Sequence, residues 1–270
     1  MIRRLSRAIA VAVALLAPSA VSPLHAQAAT ARAPSTRFPF GVGERLDFEA
    51  RFGGVRVGNA FMEVYGFEQL RGRDAYHTMF RIRGGTLFFK VDSRFDSWVD
   101  AANFVSLRFK QDQNEGGRDR DRLYEIFPER SVYTDEQGQE FASVSDPLDD
   151  GTFLYFVRSV PLEVGREYEF NRYFKPDRNP VRIRVLRRER IRVPAGEFDA
   201  VVVQPIIKTK GLFSEGGHAE VWISDDPRRQ ILQIRTRFAG LRLSLHLTAY
   251  RPPVSGGPNV GVTHPSGNDR

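Results

Sequence analysis

Leu241-Arg242-Leu243-Ser244-Leu245-His246-Leu247-Thr248 alternates apolar and polar side chains without a break. Successive side chains of an extended strand point to opposite faces, so the stretch predicts a strand with one buried and one wet face. Working outward, the same pattern recurs. Leu232, Ile234, Thr236 and Phe238 alternate with Gln233, Arg235 and Arg237; Val181, Ile183 and Val185 alternate with Arg182, Arg184 and Leu186. Half-wet strands of this kind belong to antiparallel sheets, whereas a parallel sheet shows continuous apolar strands with helices between them. Glycine-bearing turns fall where hairpins need them. Glu115-Gly116-Gly117 separates Phe104–Gln111 from Arg118–Phe127, and Glu136-Gln137-Gly138, Glu215-Gly216-Gly217 and Ala239-Gly240 separate other runs. The spacing predicts an all-β chain, a large antiparallel barrel or half-barrel.

Two similar halves are expected. Val42-Gly43-Glu44-Arg45-Leu46-Asp47-Phe48 is answered by Val164-Gly165-Arg166-Glu167-Tyr168-Glu169-Phe170, and Trp98-Val99-Asp100 by Trp222-Ile223-Ser224-Asp225. The halves are placed at 38–130 and 164–250, each of about six strands. Between them, a linker at 131–163 carries one short helix. Asp149 or Asp150 caps it, Phe153, Phe156 and Val157 recur at helical spacing, and Pro161 stops it. Its expected place is plugging an open end or packing across the join.

Residues 1–28 read as a secretory signal peptide. Arg3, Arg4 and Arg7 precede an apolar run from Ile9 to Ala17, and Ala26-Gln27-Ala28 offers a cleavage site. The run is short of the ~20 residues that span a bilayer. A flexible lead-in, 29–37, precedes the single domain at 38–250, and a Pro- and Gly-rich tail, expected to be disordered, occupies 251–270. The expected product is exported, soluble and periplasmic, with no transmembrane span. It has no cysteine, so its core must hold without disulfides. Of the formal +7, three charges belong to the leader arginines, leaving +4. Export makes nucleic acid an unsuitable partner, and acidic envelope components suit the charge better.

Four stretches carry a family resemblance: Phe40-Gly41-Val42-Gly43-Glu44-Arg45-Leu46; Asp149–Arg158 leading into Pro161-Leu162-Glu163-Val164-Gly165; Val193-Pro194-Ala195-Gly196-Glu197-Phe198; and Trp222-Ile223-Ser224-Asp225-Asp226 with Arg228-Arg229. On these the chain resembles a family of exported bacterial proteins of unknown function, DUF3108, over residues 38–250. The resemblance implies a periplasmic, antiparallel β-rich barrel or half-barrel with no established activity. Gln230-Ile231 stands where similar sequences often carry a proline, a departure not expected to change the fold.

Catalytic and metal constellations are weak. His77, His218 and His246 have no second histidine at ligand spacing, and His218-Ala219-Glu220 reads more simply as a hairpin surface pair, so no metal and no cofactor are expected. No Gly-x-Ser-x-Gly elbow or phosphate-binding loop is present. Turn and cap chemistry accounts for Asp149-Asp150 and Asp225-Asp226. Binding is easier to motivate. Leu87, Phe88 and Phe89 occupy a place matching Leu212 and Phe213, and together would make an apolar mouth for a lipid or an envelope protein; ordinary core packing is the simpler alternative. Arg182, Arg184, Arg188 and Arg190, sharing one parity, would contact anionic groups if that parity makes one stripe; a solvated strand face is the simpler alternative. The leading expectation is a non-catalytic envelope protein that binds an apolar or amphipathic ligand or a partner protein. A polysaccharide or lipid hydrolase using carboxylates such as Asp100, Asp225 and Asp226, and a structural assembly factor, stand as alternatives.

Overall fold

The computed structural model describes residues 38–85, 90–208, 219–238 and 241–254. They form fourteen strands and one α-helix. In chain order the strands are β1 (Arg45–Phe52), β2 (Val55–Leu70), β3 (Arg73–Gly85), β4 (Lys90–Asp100), β5 (Ser106–Glu115), β6 (Arg118–Phe127), β7 (Val132–Thr134) and β8 (Glu140–Ala142). Helix α1 (Asp150–Phe156) follows, then β9 (Glu167–Phe170), β10 (Val181–Val193), β11 (Gly196–Ile206), β12 (Glu220–Ser224), β13 (Ile231–Phe238) and β14 (Leu241–Arg251). Six strands, β1 to β6, fall within 38–130, and six more, β9 to β14, run from Glu167 to Arg251. The linker adds β7 and β8 to the expected helix.

All fourteen strands join one antiparallel sheet, in the order β8-β7-β6-β5-β4-β3-β2-β1-β14-β13-β12-β11-β10-β9. The first and last strands pair at its centre, Arg45 opposite Arg251. Both edges therefore come from mid-chain. From the centre the chain meanders out to β8, crosses through α1 to the far edge at β9, and meanders back. The sheet is not closed by a strand-to-strand ladder, so the half-barrel alternative holds. Its two edge strands are only a few residues long, which limits the unpaired backbone they present.

The inner face holds the core: Leu46, Phe48, Met62, Phe109, Val201, Val203, Ile223, Ile234 and Leu247 are each at most 2% exposed. Helix α1 lies within this core, packed against β3 and β4 with Gly151–Phe156 all buried. Asp149 is its N-cap, accepting from Gly151 N at 2.8 Å and Thr152 N at 2.9 Å. Ser97 Oγ on β4 also donates to it at 2.6 Å, which fixes the helix to the sheet. The helix ends at Phe156, ahead of Pro161. On the first half of the sheet the backbones of β2 and β3 approach closely where Gly58 faces Gly84; a Cβ at Gly58 would lie 2.1 Å from Arg83 O.

Three of the four stretches that carry the family resemblance converge on one buried clasp. Arg158, just beyond α1, donates Nη1 to Glu44 Oε2 at 2.8 Å and Nη2 to Oε1 at 2.9 Å, and both side chains are fully buried. Its remaining donors reach Pro39 O, Arg228 O and Arg229 O. Phe40 and Tyr155 flank the guanidinium. The opening, the helix end and the Asp226–Arg229 turn are thus tied together. At that turn Gln230 N donates to Ser224 Oγ at 2.8 Å, a bond a proline there would lack.

The expected tail also needs correcting at its start. Strand β14 runs to Arg251, and Val254 N donates to Val42 O at 2.9 Å, so 251–254 pack beside the opening stretch.

Candidate ligand cleft at the seam of the sheet

The two ends of the sheet meet across a seam. The segment 171–180, which follows β9, lies along it like a strap. Leu148, just ahead of α1, forms a parallel bridge with Tyr173. Leu148 N donates to Arg172 O at 2.5 Å, and Phe174 N donates to Leu148 O at 3.0 Å. Ser143 Oγ, beyond β8, donates to Phe174 O at 2.8 Å. Rings pack across the seam as well: Phe174 lies 5.2 Å from Tyr124 of β6 and 5.1 Å from Tyr133 of β7.

Behind the strap lies a cleft lined by Leu148, Phe153, Phe170, Arg172, Tyr173 and Val181, with no room for a water molecule as the strap sits. Cations mark its rim. Arg172 Nε donates to Asp146 O at 2.9 Å and Nη2 to Phe104 O at 2.6 Å, with the guanidinium 4.9 Å from the Phe156 ring. Among the described residues it forms no ion pair, and burial pulls it down to about 10. Lys175 Nζ donates to Tyr124 OH at 3.0 Å and lies 4.3 Å from that ring, 5.1 Å from Phe174 and 5.6 Å from Tyr133. Arg178 donates to Tyr173 OH at 3.0 Å, and Tyr173 OH donates to Asp150 at 2.9 Å. Burial raises Asp150 above the usual carboxylate range. Apolar walls beneath a cationic rim suit an amphiphile, provided the strap moves.

The residues expected to form an apolar mouth, Leu87, Phe88, Phe89, Leu212 and Phe213, lie outside the described residues, as does His218. The arginine stripe is corrected. Val185 faces Val203 but Arg187 faces Val202, so Leu186 is an extra residue, a β-bulge. Beyond it the parity flips: Arg184 lies opposite Gln204 and Arg190 opposite Asp199, which puts Arg188 and Arg190 on the face away from Arg182 and Arg184. Each also has a carboxylate of its own chain. Arg182 pairs with Glu169, Arg184 with Glu167, Arg188 with Asp225 and Arg190 with Glu197.

The hydrolase carboxylates are similarly engaged. Asp100 caps Ala102 N and Asn103 N and takes Arg73, while Asp226 caps Arg228 N and Arg229 N. His77 sits between Glu68 and Asp96, 2.8 Å from each, stacked on Trp98. His246 is held below its ordinary value by burial and by Arg51. The indoles of Trp98 and Trp222 each donate to a glutamate two strands away, Glu68 and Glu189. Among the described residues no three His, Cys, Asp or Glu cluster as a metal site requires.

Two groups escaped the sequence reading. Glu44 shares the parity of Leu46 and Phe48, and a charge at core parity was the available signal for the clasp. Arg172 and Lys175 flank Tyr173-Phe174 outside any strand, where periodicity says nothing.

A family profile described as "Protein of unknown function (DUF3108)" matches residues 47–245, leaving the opening at Phe40–Leu46 outside the match. None of the curated proteins compared matches the sequence. Among solved structures, a β-barrel-like protein of the DUF1849 family from Brucella abortus aligns with a TM-score of 0.53 at 9% identity, covering 79% of this chain and 98% of its own. It shares the fold. A Bacteroides fragilis protein described as exported with a YmcC-like fold (TM-score 0.28, 11% identity) and a Parabacteroides distasonis protein described as a lipoprotein (0.30, 12%) cover the same shares, too distantly superposed to bear on the fold. No helix among the described residues is long and apolar enough to cross a membrane.

Proposed function

The chain belongs to the DUF3108 family of proteins of unknown function, and we propose that it is an exported, non-catalytic binding protein that takes an apolar or amphipathic ligand of the cell envelope at the seam. The observation that carries this reading is the seam itself. There two sheet ends meet through side chains and one isolated bridge rather than a ladder, over an apolar cleft with cations at its rim. Opening it breaks few backbone bonds, whereas opening the sheet elsewhere breaks a ladder; local openings draw on such weakly bonded segments. Export to the periplasm rests on the leader at 1–28, and the +4 charge beyond it suits acidic envelope components.

Native mass spectrometry of the protein recovered from its own periplasm tests the reading. A co-purifying lipid, or uptake of one offered from vesicles, is expected. A chain that carries none and takes up none contradicts it.

A further inference from the structure

Resting on that reading of the seam, we propose that the ligand is a single-chain anionic amphiphile, its carboxylate or phosphate head held by Arg172 and its acyl chain laid against Leu148, Phe153, Phe170 and Val181. The guanidinium is the argument. Most arginines of the sheet face a carboxylate of this chain, among them Arg182, Arg184, Arg188 and Arg190. Arg172 lines the apolar cleft, and among the described residues its hydrogen-bond acceptors are two carbonyl oxygens, with none at Nη1. Those two carbonyls fix the plane of the group, and among the described residues the Asp146 carboxylate acts on its charge only from a distance, with no ion pair formed. An anionic oxygen at Nη1 would supply a direct ion pair, and a guanidinium fork suits a carboxylate or phosphate.

The strap strengthens the field. Between residues 171 and 180 it carries Arg172, Lys175 and Arg178 against one carboxylate, Asp177. Asp150, the acid facing Tyr173 from the helix, accepts from that hydroxyl, and its charge is felt by Arg178 and Lys175. Asp146 lies at the same end, contributes its carbonyl to Arg172 and supports the charge of the guanidinium. A chain entering the cleft must displace Tyr173 and Phe174, and a head group at Arg172 would sit on the outer side of that displacement. Lys175, held by the Tyr124, Tyr133 and Phe174 rings, would be released toward the same head as Phe174 moves.

Isothermal titration with decanoate, decyl maltoside, decyltrimethylammonium and inorganic phosphate, each below its micelle concentration where it has one, tests the assignment on the full chain. Decanoate is expected to bind about tenfold or more tighter than decyl maltoside, the scale of a charge-assisted hydrogen bond. Phosphate alone should not displace it, because it brings no chain to bury. Arg172→Gln should bring decanoate down to the maltoside's affinity and leave the maltoside within about twofold. If Arg172→Gln does not fold, salt serves instead: the decanoate preference of the unaltered protein should shrink as ionic strength rises. Equal binding of decanoate and decyl maltoside, tighter binding of the trimethylammonium probe, displacement by phosphate alone, or a preference that survives Arg172→Gln or high salt would each overturn the anionic-head assignment while leaving the seam as a binding site. Failure of every decyl probe to bind would overturn both.

Discussion

Glu44→Gln probes the clasp that joins the opening stretch, the helix and the Asp226–Arg229 turn. The wild-type carboxylate receives two charge-assisted bonds from Arg158, at 2.8 and 2.9 Å, with neither side chain reaching solvent. Glutamine keeps the shape and one acceptor but turns the other contact into a donor facing a donor. The guanidinium then keeps its charge with neutral partners alone, the remaining amide oxygen and Pro39 O, Arg228 O and Arg229 O. Breaking a buried pair from one side costs about 3–5 kcal/mol, because the surviving charge stays buried. With a urea slope of about 2 kcal/mol per molar, the unfolding midpoint should fall by about 1.5–2.5 M at unchanged slope. A cycle with Arg158→Met should show strong coupling, the double variant losing less than the two single losses combined. Circular dichroism through a urea titration reads all three. A midpoint shift under about 0.5 M with the slope unchanged would refute the clasp.

Other consequences follow from single contacts. Asp149 is buried and pushed up to about 6, so between about pH 4 and 6 the folded state binds a proton that the unfolded state has released; stability from this group is full below the unfolded value and falls by about 3 kcal/mol as pH rises through that window. Chemical denaturation of Asp149→Asn from pH 4 to 7 should lack that slope, and an identical slope would show that Asp149 does not titrate there. Lys175→Met removes the ammonium from Tyr124, Tyr133 and Phe174 and should cost about 1–2 kcal/mol, read as a urea midpoint shift. Gly58→Ala would put a methyl 2.1 Å from Arg83 O and should cost more than about 2 kcal/mol in thermal unfolding, while Gly66→Ala, with nothing within 4 Å, should stay within about 1 kcal/mol.

Local pattern carried much of this fold into the sequence. The alternation at Ile231–Phe238 and Leu241–Thr248 marks β13 and β14, and Asp149 marks the start of α1, because strand faces and caps are set by neighbours a few residues apart. Topology left no such trace. The pairing of β1 with β14 joins positions from opposite ends of the chain, and nothing local at Arg45 points to Arg251. The arginine stripe failed for a related reason. One extra residue, Leu186, reverses the facing of everything after it, and a bulge in a run of arginines looks like more of the same run. Arg172 stayed hidden because carbonyl partners, unlike carboxylates, leave no complementary residue to find.

The central claim is that ligand enters at the seam, and hydrogen exchange read with and without saturating decanoate tests it most directly. The account predicts that the amides of Leu148 and Phe174, which bond across the bridge, exchange faster in the free protein than those of the β1–β14 ladder, and that decanoate changes protection chiefly between residues 143 and 183. Seam amides as protected as that central ladder, with decanoate altering exchange elsewhere or nowhere, would contradict it.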